Sequence, residues 1–389
     1  MFLSTLAMKA EFIPAIASQS LGRAWHHSLE HKLSLCHQYG LGTVELFFED
    51  LEAVANNLPS SHPPMPSGSS FTCSTEQQEK QIAAARYIQE LCVHSQLEIL
   101  CLQPFMHYDG LIDTASHEAA IEKLHFWIRL AHILETDLIQ IPSSFLHESQ
   151  CSGSREKIVA DLREAADVGL RSSPPVRFSY EALCWGTHVD TWDVAWSIIL
   201  EVDRPNFGTC LDTFNIAGRV FGDPASPTGM TPNSYEDTRE TIAKLRSELP
   251  RAIEKIFYVE ICDGERLDQP LVPGHKWYHP EQKARMSWSR NARLFPFEEP
   301  GYLPVLEVLE AICDAGYRGP ISFELFSESA NQPGKNVPEE HARRAATAWA
   351  KLEEHMHWND SADVSCNASL SPSSPATSLS SSPKETKKR

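Results

Sequence analysis

Short apolar runs recur along the chain, each rich in β-branched or aromatic residues and each stopped by charge or turn residues. Eight of them read as strands: PAIASQSL (14–21), TVELFF (43–48), LEILCLQPF (97–105), DLIQIP (137–142), VRFSYEAL (176–183), FGTCLDTF (207–214), IFYVEICD (256–263) and PISFELF (320–326). Between them lie segments with a 3.6-residue period, among them SLEHKLSLCHQYG, EKQIAAARYIQELCVHSQ, AAIEKLHFWIRLAHILE, REKIVADLREAADVG and YLPVLEVLEAICDAGYRG. Two of these close on Gly40 and Gly316, where a helix end needs a left-handed residue. Eight strand–helix alternations predict a single (β/α)8 TIM barrel with the helices outside. A doubly wound sheet is the alternative, and the absence of a GxGxxG turn after the first strand counts against it.

Such a barrel takes about 250 residues, so part of the 389-residue chain must be extra. The pattern assigns the surplus to long loops after strands 2, 6 and 7 (residues 57–80, 222–236 and 264–300) and to a tail. The expected boundaries are an N-terminal extension over 1–13, the barrel over 14–355, and a Ser/Pro-rich tail over 356–389 that reads as disordered.

The strand ends carry the candidate chemistry. Side chains at the C-terminal ends of barrel strands line the active site in this architecture. Four consecutive strands place an acid there: Glu181 in SYEAL, Asp212 in CLDTF, Glu260 in YVEIC and Glu324 in SFELF. Any one of them could pair with a neighbouring base. Four buried carboxylates converging on one barrel mouth repel each other unless a cation stands between them. An all-oxygen set of this kind suits a hard divalent metal, Mg²⁺ or Mn²⁺, rather than a structural zinc.

Composition narrows the partners. The formal charge of −18 disfavours nucleic acid and anionic membrane, while leaving room for a small anionic substrate held by one or two local arginines. Ten cysteines sit singly in apolar runs without CxxC spacing, as reduced thiols of a cytoplasmic protein do. No run approaches a membrane span, and MFLSTLAMKAEF lacks the basic start of a signal peptide. Nothing in the composition decides between a monomer and a homo-oligomer.

Several residues beside the acids add candidate roles. His188 follows Glu181 in ALCWGTHVD, and Asn215 follows Asp212. Ser289, Arg290 and Arg293 lie in SWSRNARLF, where two arginines beside aromatic residues could bind a carboxylate. His107 and Tyr108 end the third strand in QPFMHYDG, and Arg23 follows the first in LGRAWHHS.

Together, ASQSLGRAWHHSLEHKL, LQPFMHYDGL, YEALCWGTHVDTW, RPNFGTCLDTFNIAGRVFGDP and ARMSWSRNARLF resemble the fungal 3-dehydroshikimate dehydratases of quinate and shikimate breakdown, a family of xylose-isomerase-like barrels. The resemblance runs from about residue 14 to about 352. It implies dehydration of 3-dehydroshikimate to protocatechuate with a divalent metal (Mg²⁺, Mn²⁺ or Co²⁺) at the barrel mouth. It implies the metal ligands Glu181, Asp212, Glu260 and Glu324, the same four that the strand ends give. It puts Ser289 and Arg293 near the substrate carboxylate, with Arg23, Tyr108 and Asn215 as further substrate contacts. It makes His188 the first candidate for proton transfer and His107 the second. Where the resemblance leads to an expected Gln on the seventh strand, this chain has Glu260, and LFPFEEPGYLP is shorter than its counterpart. Two other readings stay open: a sugar or hydroxypyruvate-type isomerase using the same carboxylates, and a catalytically impaired relative that binds a metabolite of the same pathway.

Overall fold

The computed structural model describes residues 11–58 and 75–358. The chain divides into two compact units, residues 1–349 and 350–389. All barrel strands lie in the first; of the second, only residues 350–358 are described, opening with the last turns of the helix Val337–His355. Most of the expected N-terminal extension, much of the loop after the second strand and nearly all of the Ser/Pro-rich tail lie outside the described residues.

Eight parallel strands close a barrel: β1 (Phe12–Ala17), β2 (Thr43–Phe47), β3 (Glu98–Gln103), β4 (Leu138–Pro142), β5 (Arg177–Glu181), β6 (Phe207–Asp212), β7 (Ile256–Glu260) and β8 (Gly319–Phe323). Each strand neighbours the next in sequence, and β1 closes the ring on β8, with Phe12 opposite Gly319. The expected (β/α)8 architecture holds, with shifts at strand ends: Phe48, Thr213 and Phe214, expected in strands, open helices, and the first strand moves the most. Phe12 and Ile13 belong to β1, whereas SQSL turns as a short 3₁₀ helix (Ser18–Leu21). Its serines are the reason: Ser18 Oγ donates to Asp50 (2.6 Å), and Ser20 Oγ donates to the Phe323 carbonyl (3.1 Å). Those side-chain bonds compete with a strand ladder.

Helix ends follow the sequence signals. Gly40 and Gly316 take φ values of +75° and +105°, and the amides after them reach back to Cys36 (2.9 Å) and Ile312 (3.3 Å). Ser28, Asp113 and Ser154 accept backbone amides at three helix starts.

The excursion after β7 is more ordered than its composition suggests. It contains a helix (Ala284–Ala292) and a two-residue antiparallel ladder, Asp263–Gly264 with Arg293–Leu294. Trp288 anchors it: the indole is fully buried against Phe214 and Tyr302, and its Nε1 donates to the Glu265 carbonyl (2.9 Å). Burying so large an aromatic surface contributes on the order of 2–3 kcal/mol. The anchor also fixes the helix that carries Ser289 and Arg290 over the barrel mouth.

Candidate metal centre and active site

Strand geometry brings the four acids together. Glu181, Asp212 and Glu260 are the last residues of β5, β6 and β7, and Glu324 follows β8 directly. Asp212 and Glu260 are register partners across neighbouring strands. One carboxylate oxygen from each of the four residues lies within 4.8 Å of the others, and all four residues are buried.

The polar groups around them are fixed. Asp212 ends its strand and caps the helix Thr213–Val220, accepting the Phe214 amide (2.7 Å). Asn215 Nδ2 donates both to Glu181 Oε1 and to Asp212 Oδ2 (2.7 Å each), and its own Oδ1 accepts the Cys184 amide (3.0 Å). Gln140 Nε2 donates to Glu181 Oε2. Arg293, fully buried, bonds through Nη1 to Asp212 Oδ2 (2.9 Å) and stands 3.1 Å from Glu324 Oε2; its Nε reaches Ser289 Oγ (3.1 Å).

One guanidinium does not neutralise this set. Burial, then the Asp212 charge, push the Glu181 carboxyl up to about 8, although Arg293 pulls it down. Burial, then Glu324 and further carboxylates, push Glu260 well above its ordinary range. Both oxygens of Glu260 are buried with no N–H donor on them among the described residues, and the neighbouring group is another carboxyl, Glu45. A buried carboxylate without a donor is costly. Four crowded acids, one of them with both oxygens orphaned, and no Cys or His among the donors, fit a hard divalent cation.

The titration has a definite sign. Glu181 holds its proton in the folded chain up to about pH 8, while an unfolded glutamate releases it near 4.5. Between these values the folded state binds more protons, so stability falls as pH rises through that window. Thermal melts of chelator-treated protein should therefore give a lower Tm at pH 8.5 than at pH 6, with a smaller loss in Glu260→Gln. A Tm that rises with pH in the chelated protein would contradict this charge assignment.

Above the cluster opens a cavity of about 530 Å³, lined by Arg23, Phe47, Glu49, Gln140, Phe145, Glu181, Trp185, Ser289, Arg290, Arg293, Glu324 and Phe326, among others. Arg23 does reach it, held by Glu49 (3.2 and 2.5 Å) and lying over the Trp25 ring at 4.6 Å. Just before it, Gly22 has φ +117°, and a Cβ there would come within 2.4 Å of the His27 ring, so the turn requires glycine.

Other expected residues go elsewhere. Asn215 is buried behind the acids and orients them. Tyr108 is fully buried, its hydroxyl without a hydrogen-bond partner among the described residues. His107 packs edge-on against Phe145, with ring centroids 4.4 Å apart, and does not line the cavity. Burial, then Lys123 and Arg290, hold its pKa down at about 4, so the ring is neutral. His188 is the clearest correction. It is exposed, its ring lies against Gly153, its Nε2 contacts the Cys151 carbonyl (3.1 Å), and it does not line the cavity. The loop leaving β5 turns at Gly186, pressed against the Val189 carbonyl, before His188 could face inward.

A fifth acid was missed. Glu45, in the middle of β2, is fully buried beside Glu260, accepts Gln103 Nε2 (2.9 Å), and has its pKa raised by burial. Its signal was available, an acid inside the apolar run TVELFF, but it sits within the strand rather than at its end.

Comparison with known proteins follows the same lines. Residues 33–352 match the model of the family described as xylose isomerase-like TIM barrel. A protein from Neurospora crassa named 3-dehydroshikimate dehydratase is 51% identical over 346 residues, covering 88% of this chain and 94% of that one. A Pseudomonas aeruginosa protein of the same name is 29% identical over 244 residues, 62% of this chain and 32% of its own length. Among solved structures, a xylose isomerase-like TIM barrel/4-hydroxyphenylpyruvate dioxygenase fusion protein shares the fold at a TM-score of 0.64 and 23% identity, covering 93% of this chain and 45% of that chain. The chain belongs to the xylose isomerase-like TIM barrels and, within them, to the family of the Neurospora 3-dehydroshikimate dehydratase.

Proposed function

We propose that this chain is a hydro-lyase that converts 3-dehydroshikimate to protocatechuate. The observation that carries this reading is the 51% identity to the Neurospora enzyme over nearly its whole length. The cavity supports it: about 530 Å³ accommodates a six-membered ring with its substituents. Phe47, Phe145, Trp185 and Phe326 wall it with apolar faces that exclude water and suit a ring becoming planar.

The reaction removes a proton next to the ketone, expels the hydroxyl one carbon further on as water, and ends in an aromatic ring. A divalent metal held by Glu181, Asp212, Glu260 and Glu324 would supply Lewis acidity toward the carbonyl oxygen. Asn215, Gln140 and Arg293 hold three of those carboxylates in fixed orientations, so the site is assembled before substrate enters. Proton acceptance falls to the carboxylates that line the cavity, because neither His107 nor His188 does.

The test is a spectroscopic assay of purified protein with 3-dehydroshikimate and Mg²⁺, Mn²⁺ or Co²⁺, following protocatechuate. Absence of product with every metal would sink the dehydratase reading. In the same assay His188→Ala should keep kcat within about threefold of wild type, as expected of a group that makes no transition-state contact. A hundredfold loss would return His188 to the reaction.

A further inference from the structure

The cavity at the barrel mouth is lined by charges of both signs. The acid cluster lies at the strand ends, and three guanidinium groups, Arg23, Arg290 and Arg293, line the cavity with it. Their situations differ. Arg23 is paired with Glu49 and lies within 4.6 to 6.0 Å of the Trp25, Phe47 and Phe326 rings, so its charge is neutralised and its position set. Arg290 projects from the Trp288-anchored helix, is exposed, and makes no hydrogen bond or ion pair among the described residues. Partial burial and the charge of Arg23 lower the Arg290 pKa, and both residues line the same cavity.

Arg293 does not fill this role. Its fully buried guanidinium is engaged by Asp212, Glu324, the Glu324 carbonyl and Ser289. Withdrawing it to meet a ligand would leave two buried carboxylates without their only cation among the described residues.

We propose that Arg290, with Arg23 beside it, is the subsite for the substrate carboxylate, and that Arg293 remains the counter-charge of the acid cluster. The substrate is then held at two ends: its carboxylate at the rim, its ring oxygens toward the acids. A neutral sugar would leave Arg290 unpaired. This assignment rests on the dehydratase reading for the identity of the anion, but not for the existence of the subsite.

The experiment uses the full chain loaded with Mn²⁺ and two calorimetric probes, 3,4-dihydroxybenzoate and its uncharged amide, alongside the turnover assay. Wild type should bind the acid at least about thirtyfold more tightly than the amide, the scale of a charge-assisted bidentate pair. Arg290→Gln should reduce that preference to within about threefold while leaving amide binding unchanged, and Arg290→Lys should fall between. A preference retained in Arg290→Gln, absent in wild type, or accompanied by equal loss of both probes, overturns the subsite. If wild type fails to dehydrate 3-dehydroshikimate yet the preference collapses in Arg290→Gln, the reaction reading falls and the anion subsite stands.

Discussion

Alanine at Glu181 or Glu324 should abolish both divalent-metal binding and turnover of 3-dehydroshikimate, with kcat/KM down by at least about 10³-fold. Both residues line the cavity as well as belonging to the acid cluster, so each deletion removes a donor that faces the substrate. Truncating Glu181 also strands Gln140 Nε2 and leaves Asn215 Nδ2 with Asp212 alone. The neighbouring donors lose an acceptor that holds them, and metal affinity suffers beyond the loss of one ligand. Metal binding is read from Mn²⁺-induced shifts in Tm and by calorimetry, independently of activity. Activity within tenfold of wild type, or an unchanged Mn²⁺ shift, in either variant would remove that residue from the ligand set.

Arg293→Met should be the most destabilising single change at the site. It deletes the buried cation that bonds Asp212 and approaches Glu324, along with bonds to Ser289 and the Glu324 carbonyl. Breaking a buried ion pair from one side leaves an uncompensated charge and costs about 3–5 kcal/mol. Burial alone would depress the Arg293 pKa; Asp212 and Glu324 reverse this and raise it, which shows how strongly the cluster holds the charge. Chelated Arg293→Met should melt roughly 10 °C below wild type. Mn²⁺ should recover part of the difference, because a divalent ion supplies positive charge to the same acids. A Tm within about 2 °C of wild type would mean that the cluster is already largely protonated and needs no counter-charge.

Much of this was legible in the chain. The alternation of apolar runs with helical periods determines a closed parallel barrel, because each strand must be covered on its outer face and each short connection leads to a neighbouring strand. The same periodicity places Glu181, Asp212, Glu260 and Glu324 at strand ends, and in a barrel such ends converge. Local signals sufficed there, since strand length and turn position are encoded within a few residues. SQSL misled because its serines bond to residues distant in sequence.

What the sequence alone could not allot was the pairing among charges. SWSRNARLF holds two arginines three residues apart, equal as sequence. In the folded chain one is buried between Asp212 and Glu324, and the other, at the cavity wall, has no ion pair among the described residues. His188 and Glu45 divide the same way: the histidine next to a strand end turns outward, and the mid-strand acid lies beside Glu260. Chain periodicity determines which face of an element a residue occupies. Which charge it meets depends on side chains tens to hundreds of residues away, whose distances exist only after the barrel has closed.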